Sequence, residues 1–172
     1  GMTLAEVAFI EATVAKLLEN PAQSPGGSAC NTIVGVGQLG GEARFIGKCG
    51  RDELGERLES SLQEANVEPM LLRSHTPTGQ VLSLVTPDAQ RTMFTFLGAS
   101  SEIVPEEIIV EPLAEAAIVH LEGYLLFNWD LTVRCFEAAC EAGARISLDL
   151  ASYTVVEAAG EKLHELVREY VD

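Results

Sequence analysis

The chain has 172 residues, 47% of them hydrophobic, enough for one domain with a core or for a large piece of a bigger one. Its 26 acidic residues against 11 basic ones leave a net charge of −15, and no basic stripe suited to a nucleic-acid backbone is present. No run reaches the roughly 20 unbroken apolar residues of a membrane-spanning helix, and the opening GMTLAEVAFIEA lacks the basic lead and uninterrupted apolar run of a signal peptide.

Thr3 followed by Glu6 has the spacing of a capping box. Val7, Ile10, Val14 and Leu17/Leu18 recur at helical spacing, which predicts a helix from about Leu4 to Glu19. NPAQSPGGS is a loop by composition. Asn31 to Leu39 reads as a helix of small residues, ended by Gly40 and Gly41. ARFIGKCG is a short apolar strand ending in glycine. Asp52 caps a second helix, with Leu54, Leu58, Leu62 and Ala65 on its buried face. PMLLRS, TGQVLSLVTPD and RTMFTFLGAS are rich in β formers and separated by turn residues, which predicts a small antiparallel sheet. AAIVHLEGYLL is a buried strand with polar residues at its end. Asp130 to Ala142 is a helix closed by Gly143 at C′. ARISLDLAS is another buried strand, and EKLHELVREYV a final helix. Alternation of this kind implies the α/β class, a parallel sheet with helices on both faces. Such sheets bind ligands at the carboxyl ends of their strands. The segments of interest therefore follow RFIG, IVHLEG and ISLDLA.

Two glycine patterns compete in PGGSACNTIVGVGQLGG. Gly35, Gly37 and Gly40 spell G-x-G-x-x-G after TIV, as in the dinucleotide-binding turn of an oxidoreductase. That turn needs a crossover helix of ten or more residues after it. Here ARFIG follows Gly40 and Gly41 almost at once, and no acid closes a second strand where a ribose would need it. Small residues that let a helix pack closely on a sheet account better for these glycines. Gly26, Gly27 and Ser28 then form the turn into a helix N-terminus. A bare backbone there approaches a ligand closely, and its N–H groups favour oxygen. Asn31, one turn in, offers a donor and an acceptor to a hydroxyl pair. The same residues also read as an ordinary loop and N-cap.

The four cysteines, Cys30, Cys49, Cys135 and Cys140, form no C-x-x-C pair and have no nearby histidine. They read as reduced thiols of a cytoplasmic protein, without a zinc site.

G-G-S-x-x-N-T, Gly40, Gly50 and FIGKCGRDELGERL together resemble the ribokinase-like (PfkB) carbohydrate kinase family. GGSACNTI and TPDAQRTMFTFLGAS are most similar to its adenosine-kinase and nucleoside-kinase branch. Ile33 stands where the wider family prefers a small residue, which points away from ribokinase itself. The resemblance covers nearly the whole chain. It implies a three-layer parallel-sheet ribokinase-like fold, present in part over residues 1–172, with a small antiparallel β lid at about 69–98. It implies ATP- and Mg²⁺-dependent phosphorylation of a primary hydroxyl of a sugar or nucleoside, in the cytoplasm, and a possible homodimer through the lid sheet.

Residue by residue, Gly26, Gly27, Ser28 and Asn31 match the positions that hold the sugar hydroxyls. Arg91, in the lid, matches a basic catalytic residue near the transferred phosphate, where charge spread over phosphoryl oxygens needs a fixed cation. The alternative for Arg91 is a solvated hairpin-tip arginine. Glu122 matches an acid that holds the sugar, or else is a capping or ion-paired acid. Tyr124 matches a region that packs on base or sugar, or else is core. Asp149 ends ISLDL and on the parallel-sheet reading faces the same crevice, although a strand-end acid also caps the next helix.

The family begins with a strand ending in an aspartate, followed by the first lid strands, and this chain is expected to start after that point. The family's G-A-G-D segment, with the anion hole and the aspartate base, does not occur in the chain. The resemblance thus implies the substrate-binding half of a kinase, with ATP and Mg²⁺ bound mainly by the other half. Such a piece would not catalyse transfer alone. The alternative is a non-catalytic sugar- or nucleoside-binding or dimerisation module.

Overall fold

A computed structural model describes residues 2–17, 19 and 21–172. In chain order the elements are β1 (Met2–Leu4), α1 (Val7–Val14), α2 (Ser28–Gln38), β2 (Ala43–Gly50), α3 (Glu53–Glu64), β3 (Val67–Ser74), β4 (Gln80–Val85), β5 (Arg91–Phe96), β6 (Ile118–Glu122), α4 (Trp129–Glu141), β7 (Arg145–Asp149) and α5 (Tyr153–Tyr170). The protein is mixed α/β and divides into two compact units, Gly1–Glu102 and Ile103–Asp172.

In the first unit β2 and β3 pair in parallel, in register from Ala43 opposite Val67 to Gly50 opposite Ser74. Helix α3 makes the crossover. As its spacing predicts, the helix starts at Asp52, whose carboxylate accepts the Gly55 N–H at 2.9 Å. Leu62, Ala65 and Val67 form a core with Cys30 and Ala43. Helix α2 closes on this core through Gly37. A Cβ there would lie 2.3 Å from the Ala65 carbonyl oxygen and 3.0 Å from Val67 Cγ2. The middle glycine of G-x-G-x-x-G therefore sits inside a helix and serves packing, as the small-residue reading expects. Gly37→Ala is expected to destabilise this unit by about 1–3 kcal/mol through overpacking, against a helix-propensity gain below about 1 kcal/mol. Urea unfolding followed by circular dichroism measures it. A midpoint at or above the wild-type value would show that α2 can move off the core freely.

A second sheet in this unit has the order β1-β5-β4. β4 and β5 are antiparallel, from Gln80 opposite Phe96 to Val85 opposite Arg91. Their turn is closed by the Thr86 N–H donating to the Gln90 carbonyl at 3.0 Å. β1 lies parallel to β5, with Thr3 opposite Phe94. Four expectations need correction. The predicted helix over Leu4–Glu19 is a strand followed by the shorter α1, and Leu18 lies outside the described residues. Thr3 makes no capping box, because its backbone is committed to the ladder with β5; the N-cap is Glu6, without a side-chain cap. PMLLRS does not join the antiparallel sheet, because α3 returns the chain parallel to β2; only Gln80–Phe96 of the stretch 69–98 is antiparallel. Met2–Leu4 belongs to the lid sheet rather than following it.

In the second unit β6 and β7 pair in parallel, joined by α4, from Ile118 opposite Arg145 to Glu122 opposite Asp149. Leu121 and Ile146 enter a core with Phe136, Cys135, Val155, Leu163 and Leu166. The intervening residues His120, Glu122, Ser147 and Asp149 take the opposite face, as strand alternation requires. Helix α4 starts at Asn128, whose side chain accepts the Leu131 N–H at 3.3 Å. It closes with Gly143 at φ 74°, as expected. Helix α5 is interrupted at Gly160, which has φ 54° and ψ −135°. Among the described residues no helix is long and apolar enough to cross a membrane. Cys30, Cys49 and Cys135 are buried thiols and Cys140 is exposed; none forms a disulfide.

Candidate functional site

The Gly26–Asn31 loop begins α2. Gly27 is the N-cap, at φ 106° and ψ 141°, a backbone that only glycine adopts without strain, and no side chain caps the helix. The first helical bond runs from the Asn31 N–H to the Gly27 carbonyl at 2.9 Å. A Cβ at Gly26 would meet nothing within 4 Å, so the loop is open on that side. Asn31 is exposed and lies in the first turn of this helix. A glycine N-cap at a helix start and an exposed amide residue in its first turn make a surface suited to hydroxyl or other oxygen ligands.

Arg91 is the first residue of β5, opposite Val85. Phe9 of α1 packs on Phe94 with ring centroids 5.0 Å apart, which covers one face of the lid sheet. Arg91 stands on the other face, which also carries the exposed side chains of Leu4, Val81 and Val85. It is thus a hairpin residue on the face that α1 leaves open.

In the second unit Glu122 and Asp149 are neighbours in register at the carboxyl ends of their strands. Both are half-buried. Behind them, His120 Nδ1 and Ser147 Oγ are 3.0 Å apart. Asp149 Oδ1 accepts the Ala151 N–H at 2.9 Å, so this acid holds the turn before α5; the N-cap itself is Ser152. Immediately after Glu122 comes Gly123, where a Cβ would lie 2.4 Å from the Asp149 carbonyl oxygen. Only glycine lets the two strand ends approach this closely. Tyr124 is 39% exposed and Phe127 65% exposed. Their rings stack at 6.4 Å and 24°. Tyr124 is therefore not a core residue, and with Phe127 it forms an aromatic ledge one turn from the acids.

The structure thus groups Gly26, Gly27, Ser28 and Asn31 at one helix start, and Glu122, Tyr124 and Asp149 at one strand edge. Sequence reasoning missed Gly123 and Phe127. Glycine directly after a strand-end acid, and aromatics three apart in YLLF, are the signals that could have found them. Chemically, the acids accept hydroxyl hydrogens, and the ledge suits the flat face of a base or sugar ring.

A protein-family model described as pfkB family carbohydrate kinase matches residues 3–172. Fructokinase-1 of Zea mays is 31% identical over 142 residues, which is 77% of this chain and 44% of that protein. The solved adenosine kinase from Sinorhizobium meliloti superposes with a TM-score of 0.84 at 31% identity, over 99% of this chain and 54% of that one. A probable sugar kinase protein from Rhizobium etli CFN 42 gives a TM-score of 0.86 at 28% identity, over 99% and 53%. The chain spans about half the length of the proteins it matches.

Proposed function

The chain belongs to the pfkB family of carbohydrate kinases, and from that premise we propose that it is the substrate-binding part of an ATP-dependent kinase acting on a primary hydroxyl of a sugar or nucleoside. The observation that carries this reading is the pair of in-register strand-end acids, Glu122 and Asp149, beside the exposed Tyr124–Phe127 ledge. Acids that grip hydroxyls next to a flat apolar surface suit a ribose carrying a base better than a bare sugar. In the first unit, the loop of Gly26, Gly27 and Ser28, with Asn31, is by itself a surface suited to hydroxyls. Arg91 supplies positive charge to the phosphoryl group in transfer.

Among the described residues no group of three or more His, Cys, Asp or Glu could hold a metal ion. Mg²⁺ and ATP belong, on this reading, to the family's other half, which carries the base. The partner is a small molecule, in the cytoplasm, and a second copy is the proposed occupant of part of the open lid face. The test is thermal unfolding of this chain with adenosine, fructose, ribose and Mg-ATP offered separately. Adenosine at 100 times its dissociation constant is expected to add about 2.7 kcal/mol, with no shift from Mg-ATP. A shift with Mg-ATP and none with any sugar or nucleoside would overturn the assignment. Fructose or ribose acting in place of adenosine would overturn the nucleoside preference while leaving the kinase reading in place.

A further inference from the structure

Within the first unit the β4–β5 hairpin is entered through residues 75–79 and left through 97–102, and these two segments cross in backbone contact. A Cβ at Gly79 would lie 2.4 Å from the Leu97 carbonyl oxygen, and one at Gly98 would lie 2.3 Å from that of Pro77. The Ala99 N–H donates to the Pro77 carbonyl at 2.9 Å. The crossing therefore admits no side chain at Gly79 or Gly98, and the Ser100 and Ser101 hydroxyls hold its return segment by donating to the Leu97 and Gly98 carbonyls. Beside it lies a dense polar knot. The Thr78 N–H donates to Asp52 Oδ2 at 2.7 Å, and the Thr78 hydroxyl donates to Asp52 Oδ1 at 2.5 Å. The same hydroxyl accepts the Gly50 N–H at 2.9 Å. Thr78 is buried, at 7% exposure.

We propose that Asp52 and Thr78 form a latch that sets the angle of the β4–β5 hairpin, and with it the position of Arg91. One threonine ties the outgoing hinge segment to the end of β2 and to the cap of α3 at once. A carboxylate alone would cap α3 with a single oxygen; here its second oxygen and a second bond to the first are spent on the hinge. A hydroxyl is required at residue 78, because the atom both donates and accepts. No side chain can be added at Gly50, where a Cβ would lie 2.7 Å from both Asp52 Oδ2 and the Thr78 nitrogen. Burial works against the Asp52 charge, yet the hydrogen bonds from Thr78 and Gly55 hold its carboxyl below the usual carboxylate range. Glu102 braces the same segment from the return side, accepting the Ser74 and Thr76 hydroxyls at 2.5 Å each. The latch stands on the first unit alone and does not need the kinase reading.

Hydrogen–deuterium exchange of the whole chain tests it. Thr78→Val is expected to speed exchange over Gln80–Phe96 by about tenfold. Apart from Gly50 itself, the β2–β3 ladder keeps wild-type protection, and Thr78→Ser restores the hairpin. Wild-type exchange in the hairpin of Thr78→Val overturns the latch, and so does equal acceleration across the unit, which would mean general destabilisation. If Thr78→Val fails to fold, Asp52→Asn, which keeps the shape and one acceptor oxygen, is judged by the same two criteria.

Discussion

Phe136→Ala is expected to remove about 3–5 kcal/mol from the second unit, enough to unfold it at or near room temperature. The side chain is fully buried on α4, and its ring meets Tyr170 of α5 edge-on at 5.4 Å and 60°. Around it lie Leu131, Ile146 and Leu163. Truncation therefore loses the transfer energy of a whole ring, leaves a cavity between two helices and a strand, and removes an aromatic pair that adds about 0.5–1.5 kcal/mol. Ile146 of β7 belongs to the same core, and the β6–β7 register sets Glu122 beside Asp149. The protein's one tryptophan, Trp129, packs against this core, so its fluorescence reports on this unit. Equilibrium denaturation followed at that signal measures the loss. Phe136→Leu, which keeps most of the volume, should cost less than half as much. A loss below about 1 kcal/mol for the alanine variant would mean that the core collapses readily around residue 136 and that the ring organises little.

What was legible from sequence had local causes. Asp52 and Gly143 mark helix ends through bonds made within a few residues, and both behave as read. RFIGKCG and ISLD are strands because short apolar runs have few other solutions. The carboxyl-end rule for parallel strands puts Glu122 and Asp149 at one edge of their sheet from sequence alone. What failed depends on partners far along the chain. Three residues are too few to show a strand period, so β1 was absorbed into the helical pattern of Val7, Ile10 and Val14; its partner β5 lies some ninety positions away. The strand propensity of PMLLRS was plain, but propensity does not choose between a parallel and an antiparallel neighbour. The requirement for glycine at residue 123 comes from the backbone of Asp149 and Leu150, and the Asp52–Thr78 knot joins positions 26 apart. Neither leaves a mark in any short window.

On the proposed kinase function, and in a protein that also carries the family's G-A-G-D half, Arg91→Ala is expected to lower kcat by about two to three orders of magnitude, with KM for the phosphoryl acceptor little changed. The expectation rests on position and chemistry together. Arg91 lies on the lid face opposite α1, at the first rung of the β4–β5 ladder. An exposed side chain at a hairpin end contributes little to stability, so the melting temperature should stay within a degree or two of wild type. Loss of turnover without loss of stability then isolates a role in transfer. Arg91→Lys keeps the charge but not the two-pronged donor geometry, and it should recover part of the rate. Relaxing the hinge by Thr78→Val should lower kcat in the same direction but less far, because the arginine is still present and only its position is spread. A kcat within threefold of wild type for Arg91→Ala would make Arg91 a solvated hairpin residue and leave phosphoryl stabilisation to groups outside the lid.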